Sequence, residues 1–387
     1  MGTIEQFNNH VMGTYGRYAV VLDSGSGRNA VDEDGKSYID FGSGIGTNSL
    51  GYADSAWADA VCAQVRKLQH TSNYYYTKVQ ADFAEKLCAA AGYQNVFFGN
   101  SGAEANECAI KLARKYSFDK YGKGRSTIVT LTNSFHGRTL CTLSATGQES
   151  FHNYFFPFVE GFVNAQPNDI DDLLGKLDAT VCAVMFECVQ GEGGIIKLDA
   201  DYVKALAAEC AKRDILTICD EVQTGVGRTG TFLASAQFGI KPDITTLAKG
   251  LAGGLPIGAC LAGEQCAGVL TAGTHGSTFG GNPVCCAGGL AVLEQVTAAG
   301  FLAAVSEKAA YFREKLAELP EVDGVDGLGL MLGIRLKTKN AAAICKACAE
   351  NGLLILTAKE KLRFLPPLNI TKDEIDAGMT ILAKLLD

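Results

Sequence analysis

The sequence predicts an α/β protein: a large domain with a mainly parallel sheet covered by helices, plus a smaller α+β domain. Three observations point there. Short, continuous apolar runs alternate with amphipathic stretches through the middle of the chain, the pattern of strands buried on both faces. The last third breaks that alternation and sets long helices before short strands. The chain has 387 residues, 47% hydrophobic and 20% charged, which is ordinary globular usage and enough for two domains. That composition excludes a disordered or low-complexity protein.

In chain order, the first forty residues have hairpin character: residues 20–22, 30–32, the turn Asp34-Gly35, then 38–41. They are too few to form a core and should pack on another domain or subunit. Residues 95–98, 127–131, 181–186, 215–219, 244–247 and 258–261 read as strands. Helical patterns at 78–91, 103–118, 170–177 and 200–213 lie between several of them. The C-terminal third reads as helices at about 283–296 and 302–319, strands at 330–336 and 362–365, and a final helix at 372–386. The expected division is an N-terminal segment, 1–50, packing with the small domain; a large ligand-binding domain, 51–280; and a small domain, 281–387. Neither a repeat period nor a linker is visible.

The net charge of −8, without a basic block, argues against nucleic acid as partner. Phosphate-bearing small molecules stay open, because backbone amides bind them without net positive charge. The 45 glycines exceed ordinary usage and suggest tight turns and close backbone approach to something bound. The start of the chain lacks a basic-then-apolar signal, and the longest uncharged run, 265–293, is broken by His, Asn and Pro. A cytoplasmic protein without a membrane span is the expectation. The 14 cysteines read as small buried hydrophobes of a reducing compartment rather than a disulfide framework. Cys345 and Cys348 form a CxxC without a second such pair or a His pair, so no metal site is expected.

Four constellations follow strands, where ligands of parallel sheets sit. Ser101 and Glu104 fit a capping box that leaves the amides of Gly102 and Ala103 free at a helix N-terminus, a phosphate cradle or simply a capped helix. Phe135, His136 and Arg138 can stack on a flat ligand and grip a carboxylate, or form an ordinary surface loop. Asp220, ending an apolar run, is costly unless paired with a cationic group; an N-cap or internal ion pair would also serve. Lys249 stands among small and apolar residues, where desolvation makes a lysine a nucleophile, unless it snorkels to water. Gly225, Gly227 and Gly230 match the letters of a dinucleotide fingerprint, but five residues separate them from the strand and no good helix opener follows.

Taken together and in order, SGAEANE, SFHGRT, ECVQGEGG, DEVQTGVGRTG, LAKGLAGG, HGSTFGGNP and RFLPPL resemble the class III aminotransferases. These are pyridoxal-phosphate-dependent transferases of fold type I, and the likeness runs from Thr14 to the end, nearest to the acetylornithine branch. The resemblance implies that Lys249 holds pyridoxal 5'-phosphate and moves the substrate proton. Asp220 should pair with the pyridine nitrogen, Gln223 with the ring hydroxyl and Phe135 with the ring face, His136 beside it. Gly102 and Ala103 should hold the phosphate, with Thr278 reaching it across a homodimer interface. Glu187, Glu221 and Val222 complete the implied cofactor shell.

At the substrate end, Arg138 is the implied anchor for the α-carboxylate, Ser277 lies near the substrate, and Glu192 with Arg363 forms a switch pair. Tyr15 lines the family's pocket, and Ile45 stands where ornithine aminotransferases are expected to carry Tyr. The implied reaction is amino transfer from N-acetylornithine to 2-oxoglutarate in arginine biosynthesis. Succinylornithine, N-succinyl-diaminopimelate, free ornithine and 4-aminobutyrate are the alternative donors. A binding protein that keeps this fold without catalysis, and a nicotinamide dehydrogenase, are the other classes. Two positions depart from the family pattern: Cys188, where Pro is usual, and Tyr52, where His is common.

Overall fold

The computed structural model describes residues 2–387. The central sheet has seven strands: β1 (Asn95–Gly99), β2 (Thr127–Leu131), β3 (Phe162–Ala165), β4 (Val181–Phe186), β5 (Leu216–Asp220), β6 (Ile244–Leu247) and β7 (Gly258–Ala262). Their order is β1-β7-β6-β5-β4-β2-β3. Strand β7 runs antiparallel to both neighbours, and every other pair is parallel. All six strands expected from the sequence form, with ends moved by a residue at most. Strand β3 was not expected: it is a four-residue edge strand with two exposed positions, too short and too polar for a period to show.

Both faces are covered because successive residues of each strand point to opposite sides. Val129, Leu131, Val184 and Phe186 pack on one face against Leu173, Val203 and Leu206 of helices Ile170–Lys176 and Ala200–Lys212. Ile128, Ala183 and Met185 pack on the other face against Cys108, Ala109 and Leu112 of helix Gly102–Tyr121.

The C-terminal part is α+β. Strands Val322–Leu328, Met331–Leu336, Lys361–Phe364 and Leu356–Ala358 pair antiparallel in that order. Helices Phe301–Ala317, Ala341–Glu350 and Lys372–Leu386 accompany them. The N-terminal strands Leu22–Ser26, Asn29–Asp32 and Ser37–Asp40 continue through Leu353–Leu354, which pairs parallel to Ser37–Asp40. Phe41 then meets Phe312 edge-on at 5.3 Å, and Phe312 meets Phe364 at 5.4 Å, inside one hydrophobic core.

Next comes a left-handed turn. Ser43, Gly44, Ile45 and Gly46 all have positive φ (47°, 60°, 61° and 74°). For the two residues with side chains this conformation is costly. The buried Asp40 carboxylate holds it by accepting the amides of Gly42 and Ser43 at 2.7 and 3.0 Å, while Tyr52 donates to its other oxygen at 2.7 Å. All fourteen cysteines are free; Cys62 is exposed, Cys88 and Cys141 are partly buried, and the rest are buried. Among the described residues no single helix is long and apolar enough to cross a membrane.

Candidate active site

The carboxyl ends of β2, β4, β5 and β6 face one cavity of about 430 Å3. Ten residues singled out from the sequence line it: Gly102, Ala103, Phe135, His136, Arg138, Glu187, Asp220, Val222, Gln223 and Lys249. Most belong to segments that leave an apolar strand, where the chain turns polar at the sheet edge.

Asp220 is the last residue of β5 and is 4% exposed. One carboxylate oxygen accepts from Asn106 Nδ2 and from His136 Nδ1, each at 2.8 Å, and the other accepts the Val222 amide at 3.0 Å. Asn106 is itself fixed: its Oδ1 accepts from Thr246 at 2.7 Å, and its Nδ2 also donates to the His136 carbonyl at 2.7 Å. A buried carboxylate with this many donors is held in one orientation. Sequence reasoning missed Asn106 and Thr246. The signal was there, a polar residue at the buried position of an otherwise small and apolar helix face.

Lys249 follows β6 in a left-handed backbone conformation, φ 43°. Such an outlier costs on the order of 1–3 kcal/mol and clusters at functional sites. Burial pulls the ammonium below the usual lysine range, while Asp220, Glu192 and Glu187 oppose that shift. The direction of that shift favours the neutral, nucleophilic form of the amine.

Ser101 caps helix Gly102–Tyr121 by accepting the Glu104 amide at 3.1 Å. The Glu104 carboxylate takes the Asn100 amide rather than that of Ser101, so the expected capping box closes one residue earlier. Gly102 has no room for a side chain: a Cβ there would lie 2.7 Å from Val222 Cγ1. The helix N-terminus thus comes bare to the cavity wall.

Phe135 is held through its amide by Glu187 Oε1 at 2.9 Å, and Glu187 Oε2 accepts the Gly191 amide at 3.1 Å. Burial pushes the Glu187 carboxyl up to about 7; the nearby His136 opposes this and Asp220 adds to it. Arg138 is exposed, its guanidinium 4.2 Å from the Phe151 ring and 5.5 Å from that of Phe135. Among the described residues it forms no ion pair.

Gln223 links this wall to a second charged group. Glu192 and Arg363 are paired at 2.5 Å; Gln223 donates to Glu192 at 3.4 Å and accepts from Arg363 at 3.3 Å. Burial pushes the Glu192 carboxyl up, but Arg363, helped by Lys249 and Gln223, holds it below the usual range.

Other residues named from the sequence are not brought to the cavity wall. The Glu221 carboxylate is fully buried on Ala234 N, Ser235 N and Thr224 Oγ1, at 2.6, 2.9 and 3.1 Å, capping the short helix that follows. Ser277 accepts from Asn100 at 3.1 Å, one residue behind the wall. Thr278, Tyr15 and Ile45 are exposed. Thr47, just after the left-handed turn, does line the cavity and was not foreseen. The glycine fingerprint at Gly225–Gly230 is a run of turns with no helix on it. Its Arg228 is buried and spans the Leu330 and Pro366 carbonyls.

Comparison with known proteins puts this geometry in context. The solved ornithine aminotransferase of Toxoplasma gondii ME49 superposes with TM-score 0.94 at 31% identity, over 99% of this chain and 94% of that one. The N-acetylornithine aminotransferase of Stenotrophomonas maltophilia K279a does so with TM-score 0.86 at 35% identity, over 99% and 98%. The fold is therefore that of the fold type I aminotransferases. The profile of aminotransferase class III matches residues 13–386. The acetylornithine aminotransferase of Haemophilus ducreyi is 51% identical over 98% of this chain and 96% of its own. The chain belongs to the class III aminotransferases, enzymes that move an amino group between small molecules.

Proposed function

We propose that this protein transfers the 5-amino group of N2-acetylornithine to 2-oxoglutarate, with pyridoxal 5'-phosphate as cofactor, as a cytoplasmic homodimer serving arginine biosynthesis. One observation carries the chemistry: a buried, depressed lysine and a fully bonded carboxylate share one cavity with a bare helix N-terminus. The full-length likeness to the Haemophilus enzyme supports the substrate.

The donor set fits the cofactor. His136 Nε2 and Arg363 Nε are buried without a hydrogen-bond partner, the signature of a place where something else binds. Gly102 and Ala103 would hold the phosphate, Phe135 the ring face, Asp220 the ring nitrogen and Lys249 the carbonyl carbon. When bound, pyridoxal phosphate supplies an electrophilic carbon and an electron-withdrawing ring.

The chain's own residues do the rest. Lys249 Nζ takes and returns the proton of the reacting carbon. Asp220, fixed by Asn106, His136 and the Val222 amide, would accept from the ring nitrogen in the same orientation through both half-reactions. Arg138 offers an unpaired guanidinium to the donor's α-carboxylate. Glu192 neutralises Arg363 while the donor, which brings no second carboxylate, is bound; Arg363 turns to the extra carboxylate of 2-oxoglutarate in the second half. Thr278 and Tyr15, exposed in the single chain, would complete the site across the dimer.

The test is the visible absorption spectrum of the cofactor-loaded protein as N-acetylornithine, ornithine or 4-aminobutyrate is added to parallel samples. Rapid loss of the cofactor band with N-acetylornithine alone is the expected result. Faster bleaching by ornithine would overturn the substrate, and absence of any band in cofactor-supplied protein would overturn the chemistry.

A further inference from the structure

Arg138 reaches the cavity wall with neither a carboxylate nor a carbonyl on its guanidinium. It is exposed, and among the described residues it has no ion pair and no hydrogen bond. What touches it is aromatic. The guanidinium carbon lies over the Phe151 ring at 4.2 Å and over the Phe135 ring at 5.5 Å. The two rings meet edge-on at 6.0 Å. Phe135 lines the cavity; Phe151 touches the guanidinium from outside that lining.

Phe151 is itself held in place. It ends the short helix Glu149–Phe151, and its amide donates to the Gln148 carbonyl at 3.0 Å. Gln148 is buried and donates from Nε2 to the Ser134 carbonyl at 3.1 Å, while the Gly147 amide donates to Ser134 Oγ at 3.0 Å. On the other side, His152 Nε2 donates to the Leu143 carbonyl at 2.8 Å. The segment that carries Phe151 is thus tied to the loop that carries Phe135 and Arg138. A ring face attracts a guanidinium through its negative quadrupole and leaves the in-plane N–H donors free. A carboxylate in the same place would neutralise the cation and take up part of its fork, as Glu192 does for Arg363. Arg363 must shed a partner before it can take a substrate; Arg138 need not.

We propose, on the reading that Arg138 anchors the substrate carboxylate, that Phe151 is the positioning residue for that anchor. Its ring fixes the plane of the guanidinium and leaves the fork open to a carboxylate. Because the ring holds the cation without neutralising it, one guanidinium serves the donor and 2-oxoglutarate in turn. Phe151 thereby sets the preference of the site for amines that carry a carboxylate.

The test compares two amines on the cofactor-loaded, full-length protein: N-acetylornithine, and N-acetyl-1,4-diaminobutane, which is the same molecule without the carboxylate. The rate of loss of the cofactor band against concentration gives kcat/KM for each, and their ratio is the readout. Phe151→Leu should lower that ratio by about tenfold, mainly through a higher KM for N-acetylornithine, and Phe151→Tyr should hold it within about twofold of the parent. A trifluorinated phenylalanine at position 151 keeps the shape of the ring, weakens its negative face and should lower the ratio as well, which keeps the test sound if the leucine variant folds badly. Equal slowing of both amines, or an unchanged ratio with the fluorinated ring, would overturn the proposal. A parent that takes both amines equally well would overturn the anchoring role of Arg138 and the proposal with it. A parent that prefers ornithine would overturn only the choice of donor, and the ratio is then read on ornithine and 1,4-diaminobutane.

Discussion

At the Asp220 end of the pocket, both carboxylate oxygens have partners at 3.0 Å or less, drawn from a helix, a loop and the strand's own continuation. At the Arg363 end, one ion pair at 2.5 Å is flanked by contacts to Gln223 at 3.3 and 3.4 Å, and Arg363 Nε is buried without a partner. The first arrangement is over-determined and the second is under-bonded. Under the proposed function Asp220 does one job in both half-reactions, whereas Arg363 must exchange a protein carboxylate for a substrate one. A network that is to stay put gains from mutual polarisation among its hydrogen bonds. A pair that is to open must not be held by more than the incoming ligand can replace.

The sharpest way to break the comparison is at the fixed end. Lys249→Ala removes the only amine placed to carry the proton and should lower turnover by about 10^3-fold or more. The melting temperature should change little, since the Asp220 network has no bond to Lys249. A variant that keeps turnover within tenfold of the parent would show that the fixed end does not carry the reaction.

The fixed end was also the legible one. Asp220 and Lys249 each follow a mostly apolar, uncharged run, and a charge at that point has few structural excuses. What sequence could not do was choose between neighbours. Asp220 and Glu221 are adjacent carboxylates, and the backbone sends the first to the cavity and the second to the amides of Ala234 and Ser235. Asn106 and Thr246 escaped notice because the bonds that join them to each other and to Asp220 span over a hundred residues. The left-handed turn at Ser43–Gly46 was hidden for another reason: it depends on the neighbouring Asp40 carboxylate, steadied by Tyr52, rather than on its own residues. The N-terminal strand Leu22–Ser26 was expected at 20–22. Its residues are mostly exposed Ser and Gly, so no alternation marks it.

At the under-bonded end, Glu192→Gln should slow the N-acetylornithine half-reaction ten- to hundredfold and leave the 2-oxoglutarate half-reaction within about threefold. Breaking a fully buried pair costs roughly 3–5 kcal/mol. Here the loss is smaller, because the Glu192 side chain is 30% exposed against 4% for Arg363, so water can reach the pair. Single-turnover measurements of each half separate the two effects. Equal slowing of both halves would mean that the pair is structural and does not open.

The smallest expected effect concerns Glu187, which stands between the two ends. Its carboxyl, ordinarily at 4.5, is pushed up to about 7 by burial. Between those values the folded protein binds a proton that the unfolded chain has released. The stabilisation is therefore complete below pH 4.5 and is lost as pH rises through 7. Relative to Glu187→Gln, which cannot titrate, the cofactor-free parent should lose on the order of 2–3 kcal/mol between pH 5 and pH 8. Urea midpoints of the two proteins at both pH values measure it, and the backbone bond lost in the variant cancels because it is the same at each pH. Parallel behaviour would mean that the Phe135 and Gly191 amides keep Glu187 ionised throughout. Glu187 would then belong with the fixed Asp220 network rather than with the part of the site that responds to its surroundings.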